Sequence, residues 1–358
     1  MVMLDLSAEK EIDELLTMVI KKDASDLHLS EGRPATLRID GQLQPIADKP
    51  ILKPSDVKAL VYVLLSPEEE SRLEKEKEID FSYTFEKSAR FRVNVYYQKG
   101  YISAALRLIP SKIRTIEELN LPAILHKFCL MNQGFFIIVG PSGHGKTTAL
   151  AAMINEINEK RNDHVITIED PIEYIFHQSK SIIDQRELYH DTLSFDKALR
   201  SALRQDPDVI MVGEMRDTET IRAALTAAET GHLVLATLHT NDAAQTIDRI
   251  VDSFPPHQQN QIRYQLASTL IGILSRRLIP RIGGDRINAV ELLVANGAIR
   301  NLIRENKIYQ IPSTIETSFE DGMISLNKSL ADLVAREEIS MDSALTFSSN
   351  PNELRLMI

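Results

Sequence analysis

The stretch GPSGHGKTT, residues 140–148, has the residue types and the spacing that bind phosphate groups. A glycine, four further residues and then Gly145, Lys146 and Thr147 match the phosphate-loop pattern G-x-x-x-x-G-K-[ST]. Backbone N–H groups in such a loop, and at the start of the helix after it, face bound phosphates. The lysine reaches the β- and γ-phosphates, and the threonine hydroxyl is a ligand of Mg²⁺. We therefore predict a nucleotide site formed by Gly140, Pro141, Ser142, Gly143, His144, Gly145, Lys146, Thr147 and Thr148.

Three further segments place polar residues directly after apolar runs. Glu214 follows the run VIMV, His239 follows LVLATL, and Glu169, Asp170 and Glu173 follow HVITI. In open parallel sheets, ligands bind outside the carboxyl ends of the strands. Glu214 is therefore a candidate for holding Mg²⁺ through water or for orienting the attacking water, and an acid of TIEDPIEY is a candidate for positioning that water. His239 is a candidate sensor of the γ-phosphate.

Each of these segments also has a purely structural interpretation. Glu214 can be an acid solvated at a strand end, and the acids around Pro171 can form an acidic turn. A metal-binding pair of His232 and His239 is disfavoured because a buried strand separates the two residues. For His232 we expect a structural hydrogen bond.

The secondary-structure elements that must position these residues follow two different sequence patterns, one before and one after residue 109. Residues 7–22 predict a helix with Ser7 as its N-cap, Asp40-Gly41 predicts a hairpin turn, and Pro67 to Lys77 predicts a charged helix. With the strand-like runs FRVNVYY and ISAALRLI, they indicate a small α+β domain. The segment IPSKIRT, with its Pro110 and Ser111, is typical of a linker.

Beyond the linker the pattern changes to continuous apolar runs that alternate with helical segments. The runs FFIIVG, HVITIED, DVIMVGE, LVLATLHT and INAVELLV indicate a parallel sheet covered on both faces. The pattern at the end of the chain predicts helices. We therefore divide the chain into residues 1–108, a linker at 109–116, a core at 117–296 and a helical region at 297–358.

Composition narrows the class of protein. The 358 residues carry a formal net charge of -10, which disfavours sequence-independent nucleic-acid binding because that requires a basic face. The single cysteine, Cys129, excludes an internal disulfide and a cysteine-based zinc site. The N-terminus lacks the features of a signal peptide, and no apolar run reaches the roughly 18 residues of a membrane span. We therefore expect a cytoplasmic protein.

The four motifs together resemble a known set. GPSGHGKTT, TIEDPIEY, DPDVIMVGEMRD and GHLVLATLHTNDA are similar to the phosphate loop, Asp box, Walker B segment and His box of the type II/type IV secretion ATPases. The string AIRNLIRE, at Ala298–Glu305, resembles the hallmark of the PilT branch of that family, the type IV pilus retraction motors. The resemblance extends from ASDLHLSEGRPATLRIDG through AIRNLIRE.

This resemblance implies an α/β fold, in which a small α+β PAS-like domain precedes a RecA-like P-loop ATPase domain with a parallel-rich sheet. It implies ATP and Mg²⁺ as cofactors, with Thr147 and Glu214 at the metal. By the same resemblance Arg92 and Arg107 are arginine fingers carried by the first domain, although spacing alone favours ordinary strand-surface charges. The implied catalytic residues are Lys146, Glu173, Glu214, His239, Arg92 and Arg107, and Glu169 joins the nucleotide-binding residues.

The resemblance further implies a homohexameric ring at the cytoplasmic face of the inner membrane. Its expected partner is the membrane platform protein beneath the pilus, and a second retraction ATPase can share the task. A finger on a mobile domain couples γ-phosphate recognition to domain rotation. Sequential hydrolysis around the ring is then expected to withdraw pilin subunits, without nucleic acid as a partner.

Alternative functions are an accessory retraction ATPase and a pilus-extension or secretion motor. The second usually carries a long additional N-terminal region and a four-cysteine zinc module, which a single cysteine does not fit. Other classes are a RecA-like nucleic-acid motor and a regulatory nucleotide-binding module without turnover. Three departures from the family are Asn306 and Tyr309 after AIRNLIRE, the segment QKGYI in place of an arginine-containing turn, and His144 in the loop. We expect the His144 side chain to point away from the phosphates.

Overall fold

The computed structural model describes residues 6–39, 41–86, 89–109 and 112–358. The described chain divides into two compact units. The first unit comprises the described residues up to Lys112 together with Pro171–Ile175, and the second comprises Ile113–Asp170 and Phe176–Ile358. The short segment 171–175 thus belongs to the first unit although it lies within the sequence of the second.

The first unit consists of an antiparallel sheet and three helices. Its helices are α1 (Leu6–Lys21), α2 (Pro54–Tyr62) and α3 (Pro67–Glu76). Its strands are β1 (Asp26–Leu29), β2 (Thr36–Ile39), β3 (Gln42–Pro45), β4 (Glu78–Phe85), β5 (Ala89–Gln98) and β6 (Tyr101–Ile109). The strand order is β3-β2-β1-β6-β5-β4, and each neighbouring pair is antiparallel.

Alternation along the strands gives this sheet one apolar and one polar face. In β5, Phe91, Val93 and Val95 are fully buried, whereas Arg92 and Asn94 lie on the other face. The buried residues pack in one core with apolar residues of α1 and α2. The opposite face therefore remains available for charged residues.

The hairpin predicted in the first unit forms, whereas the predicted N-cap of the first helix does not. The two strands β2 and β3 pair as a hairpin whose register places Ile39 opposite Gln42. Asp40 of the predicted turn lies outside the described residues, as do Pro110 and Ser111 of the predicted linker. The predicted N-cap is wrong, because α1 begins at Leu6 and Ser7 lies within the helix.

The second unit contains a seven-stranded mixed sheet with helices around it. Its strands are β7 (Gly134–Val139), β8 (His164–Glu169), β9 (Ile182–Glu187), β10 (Val209–Val212), β11 (Leu233–Leu238), β12 (Leu270–Pro280) and β13 (Arg286–Val294). Its helices are α4 (Leu125–Cys129), α5 (Lys146–Lys160), α6 (Phe195–Ala202), α7 (Thr218–Glu229), α8 (Ala243–Asp252), α9 (Pro256–Thr269), α10 (Gly297–Arg304), α11 (Ile311–Thr317), α12 (Leu326–Ala335), α13 (Met341–Phe347) and α14 (Pro351–Met357). Two 3-10 turns, Ile308–Gln310 and Phe319–Asp321, complete it.

The strand order in this sheet is β13-β12-β7-β11-β10-β8-β9. Every residue of β7, β10 and β11 is buried, as expected for parallel strands covered on both faces. The parallel register aligns Val139 with Leu238, and Val212 with both Ala236 and Ile168. The carboxyl ends of β7, β11, β10 and β8 consequently lie side by side.

Two features of this sheet differ from the sequence prediction. The run INAVELLV forms β13, an edge strand antiparallel to β12 and not a parallel strand. Strands β9 and β12 were not predicted, because IIDQRE is largely polar and Ser275, Arg276 and Arg277 interrupt the apolar run of β12. Tertiary pairing with β8 and β7 overrides these weak local signals.

The helices at the end of the chain pack onto the sheet of the second unit. Residues of α12, α13 and α14 share a core with Ile279 of β12 and Ala289 of β13. Across the described residues, no helix combines the length and the apolar character that a membrane crossing needs.

Candidate active site

The phosphate loop connects β7 to α5 and depends on two of its glycines. Gly140 has φ 143, and a Cβ on it would lie 2.4 Å from the carbonyl oxygen of Arg276. Gly145 caps α5 in the left-handed region with φ 78 and ψ 28. The loop therefore lies directly against β12, and a larger residue at either position would displace it.

Lys146 begins α5 and its side chain folds back over the loop. Its Nζ donates to the carbonyl oxygens of Gly140 at 2.9 Å and Pro141 at 3.2 Å, and it lies 3.2 Å from Nδ1 of His239. Lys146 is only 8% exposed. The ammonium group is thus held inside the loop, where carbonyl dipoles stabilise its charge.

A line of charged and polar side chains continues from Lys146 across the neighbouring strand ends. Because an ammonium group can only donate, Nδ1 of His239 accepts from Lys146 and Nε2 carries the ring proton. This Nε2 lies 3.2 Å from Oε1 of Glu214. The other oxygen of Glu214 lies 2.9 Å from Nη2 of Arg216, whose Nη1 lies 3.3 Å from Oδ2 of Asp170. Residues following β7, β11, β10 and β8 thus form one continuous row.

The remaining loop residues take their places around this row. Ser142 directs Oγ toward Nδ1 of His239 at 3.4 Å, and Thr147 and Thr148 lie in the first turn of α5. Gly143 has a left-handed backbone with φ 76. Predicted residues from three separate motifs, Lys146, Glu214 and His239, are therefore brought together.

Glu169 and Glu173 belong to different units of the fold, although only three residues separate them in the sequence. Glu169 is 3% exposed, and its Oε1 accepts from Thr167 Oγ1 at 2.6 Å and from Gln185 Nε2 at 3.1 Å. Glu173 belongs to the first unit, where its Oε1 lies 3.8 Å from Nη1 of Arg92. The catalytic role of Glu173 and the nucleotide-binding role of Glu169 stay predictions.

The two candidate finger arginines lie side by side on adjacent strands of the first sheet. Arg92 of β5 and Arg107 of β6 are register partners. The Nε of Arg107 donates to Oδ1 of Asp26 at 2.9 Å, and the Nε of Arg92 lies 3.7 Å from Oδ1 of Asp80. Like charges opposite each other repel, and these carboxylates offset the repulsion. A cavity of about 300 Å³ opens here, lined by Asp26, Asp80, Arg92, Asn94, Ala105 and Arg107.

Two histidines that the sequence analysis singled out, His144 and His232, make structural contacts outside the row. Nδ1 of His144 accepts the backbone N–H of Leu278 at 2.9 Å, so its ring is directed to β12. Burial, with the nearby guanidinium groups of Arg286 and Arg277, lowers the pKa of His144 below its ordinary value. Nδ1 of His232 lies 2.9 Å from the carbonyl oxygen of Ala227, which confirms the structural hydrogen bond expected there.

A partly buried carboxylate supports the segment after His239. Glu291 of β13 accepts the N–H of Ala243, the first residue of α8, at 2.8 Å. Burial raises the pKa of Glu291 to about 7. Ser275 of β12 also donates to the carbonyl oxygen of Asn241 at 2.7 Å. Strands β12 and β13 thereby fix the chain between His239 and α8.

Sequence reasoning missed several residues that the fold brings to the sites. Arg216 lies within the quoted segment DPDVIMVGEMRD, so its spacing from Glu214 was available as a signal. Asp26 carries no motif of its own and becomes visible only when β1 pairs with β6. Glu291 lies in an apolar run, where an isolated acid was the available signal.

Comparison with known proteins gives consistent matches. A family model for type II/IV secretion system proteins matches residues 5–323. The chain is 46% identical over 334 residues to the type IV pilus retraction ATPase PilT of Pseudomonas aeruginosa, covering 93% of this chain and 97% of that one. It is 38% identical over 349 residues to the type IV pilus ATPase PilU of the same organism, covering 97% and 91% respectively.

A solved structure agrees as well. A crystal structure of the pilus retraction motor PilT with bound ADP superposes with a TM-score of 0.90 at 47% identity, covering 96% of this chain and 99% of that chain. The chain therefore belongs to the type II/IV secretion system protein family. The predicted family and the predicted α/β fold class are both confirmed.

The raised pKa of Glu291 predicts a pH dependence of stability. Its carboxyl has an ordinary pKa of 4.5 and a folded pKa of about 7, so the folded state keeps a proton that the unfolded state releases. This proton makes its full contribution to the free energy of unfolding below pH 4.5, and the contribution is lost as pH rises through about 7. Between about pH 5 and about pH 8, the wild type should lose about 2 to 3 kcal/mol relative to Glu291→Gln, measured by denaturant unfolding.

Glu219→Gln is the matched control, because Glu219 is an exposed glutamate on α7. Its pH profile should run parallel to that of the wild type. A parallel profile for Glu291→Gln as well would show that the Glu291 carboxyl does not titrate in this range.

Proposed function

We propose that this chain is an ATP-hydrolysing motor that drives retraction of type IV pili. The observation that carries the proposal is the row from Lys146 through His239 to Glu214, formed at adjacent strand ends of a parallel sheet. Such a row offers a cation to the phosphates and a carboxylate for the metal and water chemistry of hydrolysis. The named relatives, retraction ATPases of type IV pili, support the direction of the motor.

The donor set fits Mg²⁺ as a cofactor. Mg²⁺ is bound through one or two carboxylates, substrate phosphates and water, and it prefers oxygen ligands. The hydroxyl of Thr147 and the carboxylate of Glu214 are oxygen donors of this kind, and both would hold the ion with the nucleotide. The bound ion supplies positive charge that neutralises the β- and γ-phosphate oxygens.

The protein residues then divide the remaining work. Lys146 exchanges its loop carbonyls for phosphate oxygens, and the N–H groups at the start of α5 bind the same phosphates. Glu214 orients water. His239 senses whether the γ-phosphate is bound, because its ring contacts both Lys146 and Glu214. Glu173 is proposed as the acid that aligns the attacking water.

Arg107 and Arg92 act as fingers toward a neighbouring subunit in a homohexamer. Asp26 is 5% exposed and accepts from Arg107, so it fixes the direction of a guanidinium that is itself largely exposed. Aligning a finger in advance avoids ordering it at the moment of reaction. In this scheme, Asp26 is a positioning residue for Arg107.

The proposed ring works at the cytoplasmic face of the inner membrane, on the platform protein beneath the pilus. A main retraction motor is favoured over an accessory one, because identity to PilT is 46% and to PilU 38%. A nucleic-acid motor is disfavoured by the net charge of -10.

The finger assignment predicts complementation between two variants that each have impaired turnover. Arg107→Ala should lower ATP turnover by at least about tenfold, because a finger stabilises transition-state charge. Co-expression with Lys146→Ala should restore part of the turnover, since the intact loop of one subunit then meets the intact finger of its neighbour. Asp26→Asn should lower turnover less than Arg107→Ala does.

Arg72→Ala is the control, an arginine of α3 paired with Glu76 in the same unit. It should retain wild-type turnover. Mixed rings that recover no activity would count against action between subunits.

Deletion of the gene in its source organism tests the direction of the motor. Loss of retraction should leave cells with excess surface pili and without surface movement, counted by electron microscopy and a motility assay. Cells without pili would indicate an extension motor. Unchanged pili and movement would contradict the proposed function altogether.

A further inference from the structure

A second cation lies behind the phosphate loop. Arg276 of β12 is 1% exposed and ranks among the largest fully buried side chains of the described protein. Its Nη1 donates to the carbonyl oxygen of Gly145, the residue directly before Lys146. Arginine stays charged in proteins, so its burial in the folded state requires compensating hydrogen bonds.

Asn288 of β13 supplies the compensation on the other side. Its Oδ1 accepts from Nε of Arg276 at 3.1 Å and from Nη2 at 2.5 Å. Its Nδ2 donates to the carbonyl oxygen of Leu119 at 2.5 Å, so the amide is bound at both ends. The guanidinium plane is therefore fixed in direction, and one edge of it is aimed at the loop.

The contact with Gly145 has a consequence for the adjacent peptide group. In a trans peptide, the carbonyl of Gly145 and the N–H of Lys146 point in opposite directions. The same carbonyl also accepts the N–H of Ala149 at 3.1 Å, the first hydrogen bond of α5. Holding this oxygen toward β12 and the helix turns the N–H of Lys146 toward the inside of the loop.

Further contacts join the loop to two residues of β12, Arg276 and Leu278. A Cβ on Gly140 would meet the carbonyl oxygen of Arg276 at 2.4 Å, and one on Gly145 would meet its guanidinium at 3.1 Å. The N–H of Leu278 donates to His144. The loop is thus pressed against β12 at its first glycine, at His144 and at Gly145.

We propose that Arg276, oriented by Asn288, is a positioning residue that presets the phosphate loop for nucleotide binding. It acts through Gly145 and does not contact the nucleotide. Its charge adds to that of Lys146 in attracting phosphates. This role rests on the proposed function, since it requires that the loop binds a nucleotide.

The test compares nucleotide affinity among variants of the full chain. The probe is ADP with a fluorescent group on its ribose, titrated with protein, and thermal unfolding is recorded for every variant. Arg276→Met keeps an unbranched side chain without donors and should weaken binding about tenfold or more, because a charge-assisted hydrogen bond is lost. Arg276→Lys keeps the charge and should bind with intermediate affinity.

Arg277→Met is the matched control. Arg277 is the next residue of β12, but its Nη1 donates to the carbonyl oxygen of Phe347 and not to that of Gly145. Its affinity should stay within about twofold of the wild type. In ATP turnover, Arg276→Met should raise KM by a larger factor than it lowers kcat, because the loop binds phosphates in the ground state.

Wild-type affinity in a folded Arg276→Met protein would overturn the inference, whatever its unfolding temperature. Should that variant not fold, wild-type affinity in both Arg276→Lys and Arg276→Gln would overturn it equally. A wild-type protein that binds no ADP would overturn the proposed function and this inference together. If the wild type binds ADP and the Arg276 variants bind it with the same affinity, the role of Arg276 is contradicted and the proposed function still stands.

Discussion

The parallel alignment of four strand ends is the constraint on which this protein depends. Strands β7, β11, β10 and β8 are neighbours in the sheet and run in the same direction, so residues that follow them meet at one edge. That edge joins Lys146, His239 and Glu214 although they come from distant parts of the chain. Fully buried strands give the edge a rigid support, and a shift of one strand by a single residue would separate the row.

Much of this edge could be predicted because its signals are local. The phosphate loop is a continuous pattern, and each strand end is a polar residue after an apolar run. Pairings between distant residues could not be predicted in this way. Arg276 contacts Gly145 across 131 positions, and Arg107 contacts Asp26 across 81. Local propensity carries no information on such contacts, which arise only when strands pair.

The two units use charge differently. In the second unit, Lys146 follows a strand end and Arg276 lies directly behind the loop, and backbone carbonyls and Asn288 compensate these two cations. In the first, Arg92 and Arg107 stand mid-strand on the polar face of a sheet and are balanced by carboxylates of neighbouring strands. Such balance holds cations in a fixed direction without burying them. It suits the proposed finger role, in which an arginine exchanges one anionic partner for another.

The proposed function requires that the row at the strand ends turns over ATP. The most direct measurement is the steady-state release of phosphate by the purified protein beside Lys146→Ala. Removing the ammonium group deprives the β- and γ-phosphates of their cation, so the variant should retain less than about a tenth of wild-type turnover. Equal turnover in the two proteins would contradict the assignment of this edge as the active site.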